Sequence, residues 1–220
     1  MAKMDILLNT ECAIFDLDGT LIDSLGVWNR VDERFMERRG LPVPQGFYEK
    51  VAAMDFSQAA DYVKNEFGLS DSKENIISEW LSLAQYEYAN RIEPVDGAKQ
   101  YLDYICSKGI KAALATASDP VLYTPCLARH NISGYFDVIV TTKEVRRKKG
   151  FPDIYLLAAE KSGVKPENCV VFEDILAGCV GAKAAGMRCV GVLERHSFGD
   201  WERIKDICDT VIKSYKEIMP

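Results

Sequence analysis

Two textures of apolar and polar residues alternate along this chain. The first is a set of short, unbroken apolar runs at residues 12–15, 112–115, 138–140, 169–172 and 189–192. Runs this short, apolar on both faces, predict strands buried from both sides, as in a parallel sheet. Helical patterns follow most of them. Pro152-Asp153 opens one through Ile154, Leu157 and Ala158, with Gly163 as its stop signal. Residues 177–185, closed by Gly186, predict a second helix, and residues 120–130 a third. Strand and helix in regular alternation predict an α/β fold with helices on both faces of a parallel sheet.

The second texture runs from about residue 25 to residue 91 and has no strand pattern. Trp28, Val31 and Phe35 fall at helical spacing. So do Phe56, Ala60, Val63 and Phe67, closed by Gly68, and then Ile77, Trp80, Leu81, Ala84 and Tyr88. Three or four amphipathic helices fit this region. It lies between the first strand and the second, which predicts a helical domain inserted into the α/β core. The joints fall at residues 22–25 and 91–96, where Pro94 and Gly97 suit the return. Residues 1–22 and 95–220 are then the core, and residues 23–94 the insertion.

Composition narrows the function classes. A chain of 220 residues suits one large domain or one domain with a modest insertion. A formal net charge of -6 argues against general nucleic-acid binding. No apolar run approaches the length of a membrane span, and the first ten residues carry one Lys and no long apolar core, so no signal peptide is expected. The seven cysteines are odd in number and widely spaced, with no C-x-x-C. Cys12, Cys169 and Cys189 sit in strand-like runs and are expected as small core residues in a reducing cytoplasm, not as zinc ligands or disulfides. His130 and His196 have no second ligand at metal-binding spacing and are expected at the surface or in loops.

Candidate chemistry collects where the predicted strands end. Asp16-Leu17-Asp18-Gly19-Thr20 follows the first strand, and Thr116-Ala117-Ser118 ends the second. Arg146-Arg147-Lys148-Lys149 lies before the Pro152 helix, and Glu173-Asp174 follows the fourth strand. Ligands of open α/β sheets bind at the carboxyl ends of strands, so these clusters are expected to converge. Acidic groups there would hold a hard cation such as Mg²⁺ through oxygen. Thr116 would grip a phosphoryl oxygen with its hydroxyl and the backbone N–H groups that follow, and one Lys would supply a point charge. Together these describe a phosphoryl clamp. Taken singly, each has a plainer reading: a turn for Asp16 and Asp18, a helix N-cap for Thr116, a solvated loop for the basic run, and a strand-to-helix turn for Glu173-Asp174.

The motifs in this order resemble the haloacid dehalogenase superfamily, and within it the β-phosphoglucomutase-like phosphatases with a helical cap. The first family motif, D-x-D-G-[TV], reads here as residues 16–20, and the second as Leu114-Ala115-Thr116. The third, a Lys before P-x-P-D-x-Y, reads as Lys149-Gly150-Phe151-Pro152-Asp153-Ile154-Tyr155. The fourth, E-D-S-x-x-G, reads as Glu173-Asp174-Ile175-Leu176-Ala177-Gly178. The resemblance implies a Rossmann-like core with an inserted helical cap that closes over the site. It implies Mg²⁺-dependent hydrolysis of a small phosphorylated metabolite through an aspartyl-phosphate. Asp16 is then the nucleophile and Asp18 the general acid and base. Thr116, the Ala117 N–H and Lys149 hold the phosphoryl group. Asp16, Asp174 and the backbone carbonyl of Asp18 ligate the metal, with Glu173 in that shell or just behind it. Asp18 favours an oxygen leaving group over a halide, because an alkoxide needs a proton.

Three departures from the family pattern bear on function. The glycines usual around the third-motif Lys are replaced by Arg146 and Lys148, and the residue after it is Gly150 where the family has Pro; Lys149, at its fixed distance before the Pro152 helix, is the positional match, with Lys148 the alternative. Ile175 replaces the usual Ser of the fourth motif. Trp28 stands where the phosphoglucomutases carry a His, and an indole cannot accept a proton, which disfavours the mutase reading. Packing within the insertion and contact with substrate are both open for Trp28. A phosphosugar mutase and a non-catalytic phosphate-binding module are the alternatives to a phosphatase. Substrate identity and oligomeric state are not legible.

Overall fold

A computed structural model describes residues 6–52 and 54–219, without the side chains of Glu49, Ala52 and residues 195–197. The His196 side chain, and residues 1–5 of the stretch where no signal peptide is expected, lie outside the described residues. The chain divides into two compact units, Leu25–Arg91 and the remainder.

The larger unit holds six parallel strands: β1 (Cys12–Phe15), β2 (Lys111–Thr116), β3 (Phe136–Thr141), β4 (Cys169–Glu173), β5 (Arg188–Val192) and β6 (Thr210–Ile212). Their order is β3-β2-β1-β4-β5-β6. The chain winds outward from β1 to β3, then returns to β1's other side at β4. The β1–β4 pair is therefore the point where winding reverses, and a crevice opens at such a point beyond the strand ends. The edge strand β6 has three residues, too few to show a period.

Alternation along β1 sends Cys12 and Ile14 to one face of the sheet and Ala13 and Phe15 to the other. The first face packs with Ile154 and Tyr155 of α7 (Asp153–Ser162), Cys179 and Ala182 of α8 (Leu176–Ala184) and Ile204 of α9 (Trp201–Ile207). On the second face the Phe15 ring stacks on Phe172 at 4.7 Å, with 11° between planes. Tyr101 of α5 (Ala98–Ser107) and Tyr215 lie 5.4 and 5.6 Å from Phe172. Each such pair adds about 0.5–1.5 kcal/mol beyond area burial. Phe15 and Phe172 immediately precede Asp16 and Glu173, so this stack pins the register of the two acid-bearing strand ends.

The smaller unit contains α1 (Val27–Glu37), α2 (Phe47–Ala52), α3 (Phe56–Glu66) and α4 (Lys73–Asn90). Val31 and Phe35 of α1 are buried, with Phe35 5.5 Å from Trp80 of α4. The buried stripe of α4 is Ile76, Trp80, Leu83, Ala84, Glu87 and Tyr88, so Ile77 and Leu81 of the expected stripe lie outside it. Ile76 and Leu83 take those places, and the buried face also carries a charged residue, Glu87, paired with Arg30 and Arg34 of α1. Trp28 and Phe56 are also not core residues. They are 40% and 43% exposed and meet edge to face at 5.2 Å.

The unit boundary differs from the sequence expectation by a few residues on each side. Ile22 bridges to Pro94, and the Asp23 N–H donates to the Glu93 carbonyl at 2.8 Å. That pairing ties Asp23, Ser24 and residues 92–94 into the larger unit. His130 is not simply a surface group: its Nε2 lies 2.8 Å from the Ile92 carbonyl. No helix among the described residues is long and apolar enough to cross a membrane.

Candidate active site

The acidic centre is built where β1 and β4 end side by side. Phe15 pairs with Phe172, and the Asp16 N–H donates to the Phe172 carbonyl at 2.9 Å. Asp16 and Glu173 are thereby level on adjacent strands, with Asp174 one step further. All three are buried, at 4%, 0% and 2% exposure, and one oxygen from each lies within 4.8 Å of the others. Thr20 orients Asp174 by donating its hydroxyl to Oδ1 at 3.1 Å. The Tyr215 hydroxyl in turn donates to the Thr20 carbonyl at 3.2 Å.

Lys149 reaches this centre from the loop before α7. Its Nζ pairs with Asp16 Oδ1, and with Glu173 Oε1 at 2.5 Å. Lys148 and Arg146 are exposed, while the Arg147 Nε donates to Asp153 at 3.1 Å and steadies the loop against α7. The Tyr155 hydroxyl donates to Glu173 Oε1 at 2.8 Å, and the N–H groups of Asp174 and Ile175 donate to Oε2 at 3.1 and 3.3 Å. Two glycines of α8 make the packing possible. A Cβ on Gly178 would overlap the Glu173 carboxylate, and one on Gly181 would sit 2.7 Å from the Phe151 carbonyl.

Asp18 is held apart from the three-acid group. Gly19, at φ +83°, turns the chain back, and its N–H donates to the Ile22 carbonyl at 2.9 Å. That turn brings Ser24 within reach of Asp18 Oδ1, to which its hydroxyl donates at 2.6 Å. The Ser118 hydroxyl donates to Asp18 Oδ2. Thr116, fully buried at the end of β2, accepts from the Ser118 N–H at 3.0 Å, and Ala117 is exposed. Thr116 does not cap a helix: Asp119 caps α6 (Pro120–Arg129), accepting from the Val121 N–H at 3.0 Å.

Electrostatics separate these groups. Burial pushes the Asp16 carboxyl up to about 7; Glu173 and Asp18 add to the rise and Lys149 opposes it. Burial also lifts Asp174 well above the usual carboxylate range, with Asp16 and Glu173 adding to it. Burial works against the Lys149 ammonium, but the adjoining Asp16 and Glu173 outweigh it and hold its pKa above the ordinary lysine value. Three buried carboxylates thus face one ammonium. An excess of buried negative charge with oxygen-only donors fits a hard divalent cation such as Mg²⁺.

Asp16, Glu173, Asp174 and Lys149 thus meet at one point, with Asp18, Ser118 and Thr116 forming a linked group beside the first strand end. Sequence reasoning missed Thr20, Ser24, Ser118, Tyr155, Gly181 and Tyr215. Thr20 and Tyr155 were signalled as the closing residues of the first and third motifs. Ser118 stands two residues after Thr116. Nothing local marks Ser24, Gly181 or Tyr215.

A family model described as haloacid dehalogenase-like hydrolase matches residues 13–192. The chain is 30% identical over 210 residues to a phosphorylated carbohydrates phosphatase of Thermotoga maritima, covering 95% of this chain and 96% of that protein. It is 34% identical over 210 residues to hexitol phosphatase A of Escherichia coli, covering 93% and 91%. Among solved structures, a Thermotoga maritima protein provisionally named a β-phosphoglucomutase superposes with a TM-score of 0.85, at 28% identity, over 95% of this chain and 96% of that one.

Proposed function

The chain belongs to the haloacid dehalogenase-like hydrolases and is a phosphoric monoester hydrolase of that family, and we propose that it dephosphorylates a small phosphorylated carbohydrate or polyol through an aspartyl-phosphate on Asp16. The observation that carries this reading is the buried Asp16 carboxylate, paired with Lys149 inside a three-acid centre while Asp18 is bound separately by two hydroxyls.

Each residue has a part that its surroundings support. Asp16 attacks phosphorus, its oxygen replacing the substrate oxygen in the bond to phosphorus. Asp18 donates a proton to the departing alkoxide and later takes one from the water that hydrolyses the aspartyl-phosphate. Ser24 and Ser118 keep its carboxyl turned away from the acidic centre, so the two aspartates divide the roles. Thr116 and the Ala117 N–H hold phosphoryl oxygens, and Lys149 balances charge between Asp16 and the phosphoryl group. Asp16, Asp174 and the Asp18 backbone carbonyl would hold Mg²⁺. Glu173, whose oxygens already accept from Lys149, Tyr155 and two N–H groups, would stand behind them. When bound, Mg²⁺ offsets the negative excess and favours ionised Asp16. The seven free thiols support a reducing, cytoplasmic setting.

The test is a screen of phosphorylated sugars, polyols and other metabolites with and without Mg²⁺, scored for inorganic phosphate and for isomerised substrate. Metal-dependent phosphate release from sugar or polyol phosphates is the expected result. Isomerisation without net phosphate release would establish a mutase instead, and phosphate binding without turnover a non-catalytic module.

A further inference from the structure

Away from the acidic centre, three thiols converge in the layer formed by α8, β5 and the end of α9. Cys179 on α8 and Cys189 on β5 are buried, and Cys208, which follows α9, is half-buried. Their three sulfurs lie within 4.8 Å of one another, and Cys189 and Cys208 approach to 3.6 Å. Two sulfurs bound at about 2.3 Å to one tetrahedral ion stand about 3.8 Å apart. Cys189 and Cys208 already have nearly that spacing, and Cys179 lies within 4.8 Å of both.

Contacts besides those of the sulfurs hold the arrangement. The Asp209 N–H donates to the Cys189 carbonyl at 2.9 Å, and its carboxylate accepts from the Cys189 N–H at 2.7 Å. Lys183 of α8 pairs with the same carboxylate at 2.7 Å. Asp209 thus ties together the three segments that carry the cysteines.

We propose that Cys179, Cys189 and Cys208 bind one soft d10 metal ion, Zn²⁺ in the first instance, at a site distinct from the hard-cation centre at Asp16. Thiolate ligands select soft ions, whereas Mg²⁺ demands oxygen. Three protein ligands leave a fourth position open, and the half-buried Cys208 provides the way in. Ligation displaces thiol protons to solvent, so affinity rises with pH. The ion would brace α8 against β5 and the end of α9 and stabilise the α/β unit. The expectation of a plain core role for Cys189 is then incomplete, because sequence spacing does not show which cysteines meet.

The full-length reduced protein, stripped of metal and then saturated with Mg²⁺, is titrated with Cd²⁺ as a spectroscopic probe for a thiolate site. A sulfur-to-metal charge-transfer band saturating at one ion per chain is expected, with Zn²⁺ displacing the Cd²⁺ and raising Tm. Cys208→Ser should keep the phosphatase activity of the parent but lose most of the band and bind at least about tenfold more weakly. Cys106→Ser, at an exposed and separate thiol, should leave the band unchanged. If Cys208→Ser does not fold, Zn²⁺ protection of Cys208 from alkylation in the unsubstituted protein, read by peptide mass, gives the same answer. Absence of the band, its survival in folded Cys208→Ser, or full alkylation of Cys208 at saturating Zn²⁺ would overturn the site.

Discussion

Both units of this chain bury carboxylate charge, and they neutralise it in opposite ways. In the helical unit Glu87 is fully buried, with Arg30 2.7 Å from one oxygen and Arg34 3.2 Å from the other, the latter as an ion pair and not an aligned hydrogen bond. Arg91 adds a third guanidinium at 3.8 Å. Cations outnumber the acid there, and all three guanidiniums keep some contact with water, so the excess is solvated. In the α/β unit three buried carboxylates share the single ammonium of Lys149. That excess has no solvent to absorb it. Burial of charge is common to both regions; the uncompensated remainder distinguishes a structural ion pair from a centre prepared for a cation and an anionic substrate.

The comparison can be broken in several places. The largest effect is expected for Asp16→Asn, which removes the proposed nucleophile and should lower kcat by about 10³-fold or more in a phosphate-release assay. Near-parental turnover would remove Asp16 from the chemistry. Glu87→Gln should instead act on stability, costing about 1.5 kcal/mol by denaturant titration because the charge-assisted bond from Arg30 and the ion pair with Arg34 are lost while both guanidiniums stay partly solvated, with little change in kcat. A large loss of kcat without loss of stability would contradict the contrast between the units.

Next comes Gly178→Ala, whose methyl group must displace the Glu173 carboxylate and with it Lys149. A fall of about tenfold in kcat is expected, with KM much less affected. The pH dependence of stability sharpens the same point. The Asp16 carboxyl sits at about 7 in the folded protein against 3.8 ordinarily, so between these values the native state binds more protons than the unfolded one. Stability of the metal-free protein should therefore fall as pH rises through that window, by about 10 °C in Tm, and Mg²⁺ should flatten the slope. The smallest effect is expected for Lys148→Ala, whose exposed side chain should be dispensable within about twofold in kcat, while Lys149→Ala should be severely impaired.

The sheet was legible because buried parallel strands are written as unbroken apolar runs, and β1, β2, β4 and β5 lie within a residue or so of where those runs fall. β6 was not, since three residues show no period. The stripe of α4 is ambiguous in sequence because apolar residues at 76, 77, 81 and 83 border both candidate faces, and Glu87 on the buried face looks polar. The proposed phosphoryl ligands and acids could be named from the motifs. Their supports could not: Tyr215 reaches the site through Thr20 from the far end of the chain, and Gly181 matters only because the Phe151 carbonyl presses against it.

By itself the sequence determined the α/β core, the helical insertion and the set of acidic, hydroxyl and lysine side chains at strand ends, because strand burial and turn chemistry are local and each leaves its own periodicity. Only the tertiary structure decided that Lys149 pairs with both Asp16 and Glu173, that Asp18 is claimed by Ser24 and Ser118, and that three distant cysteines share one pocket of sulfur. Those outcomes depend on register between strands and on the close approach of helices. Both are fixed by packing among residues far apart in the chain, and no local pattern encodes them.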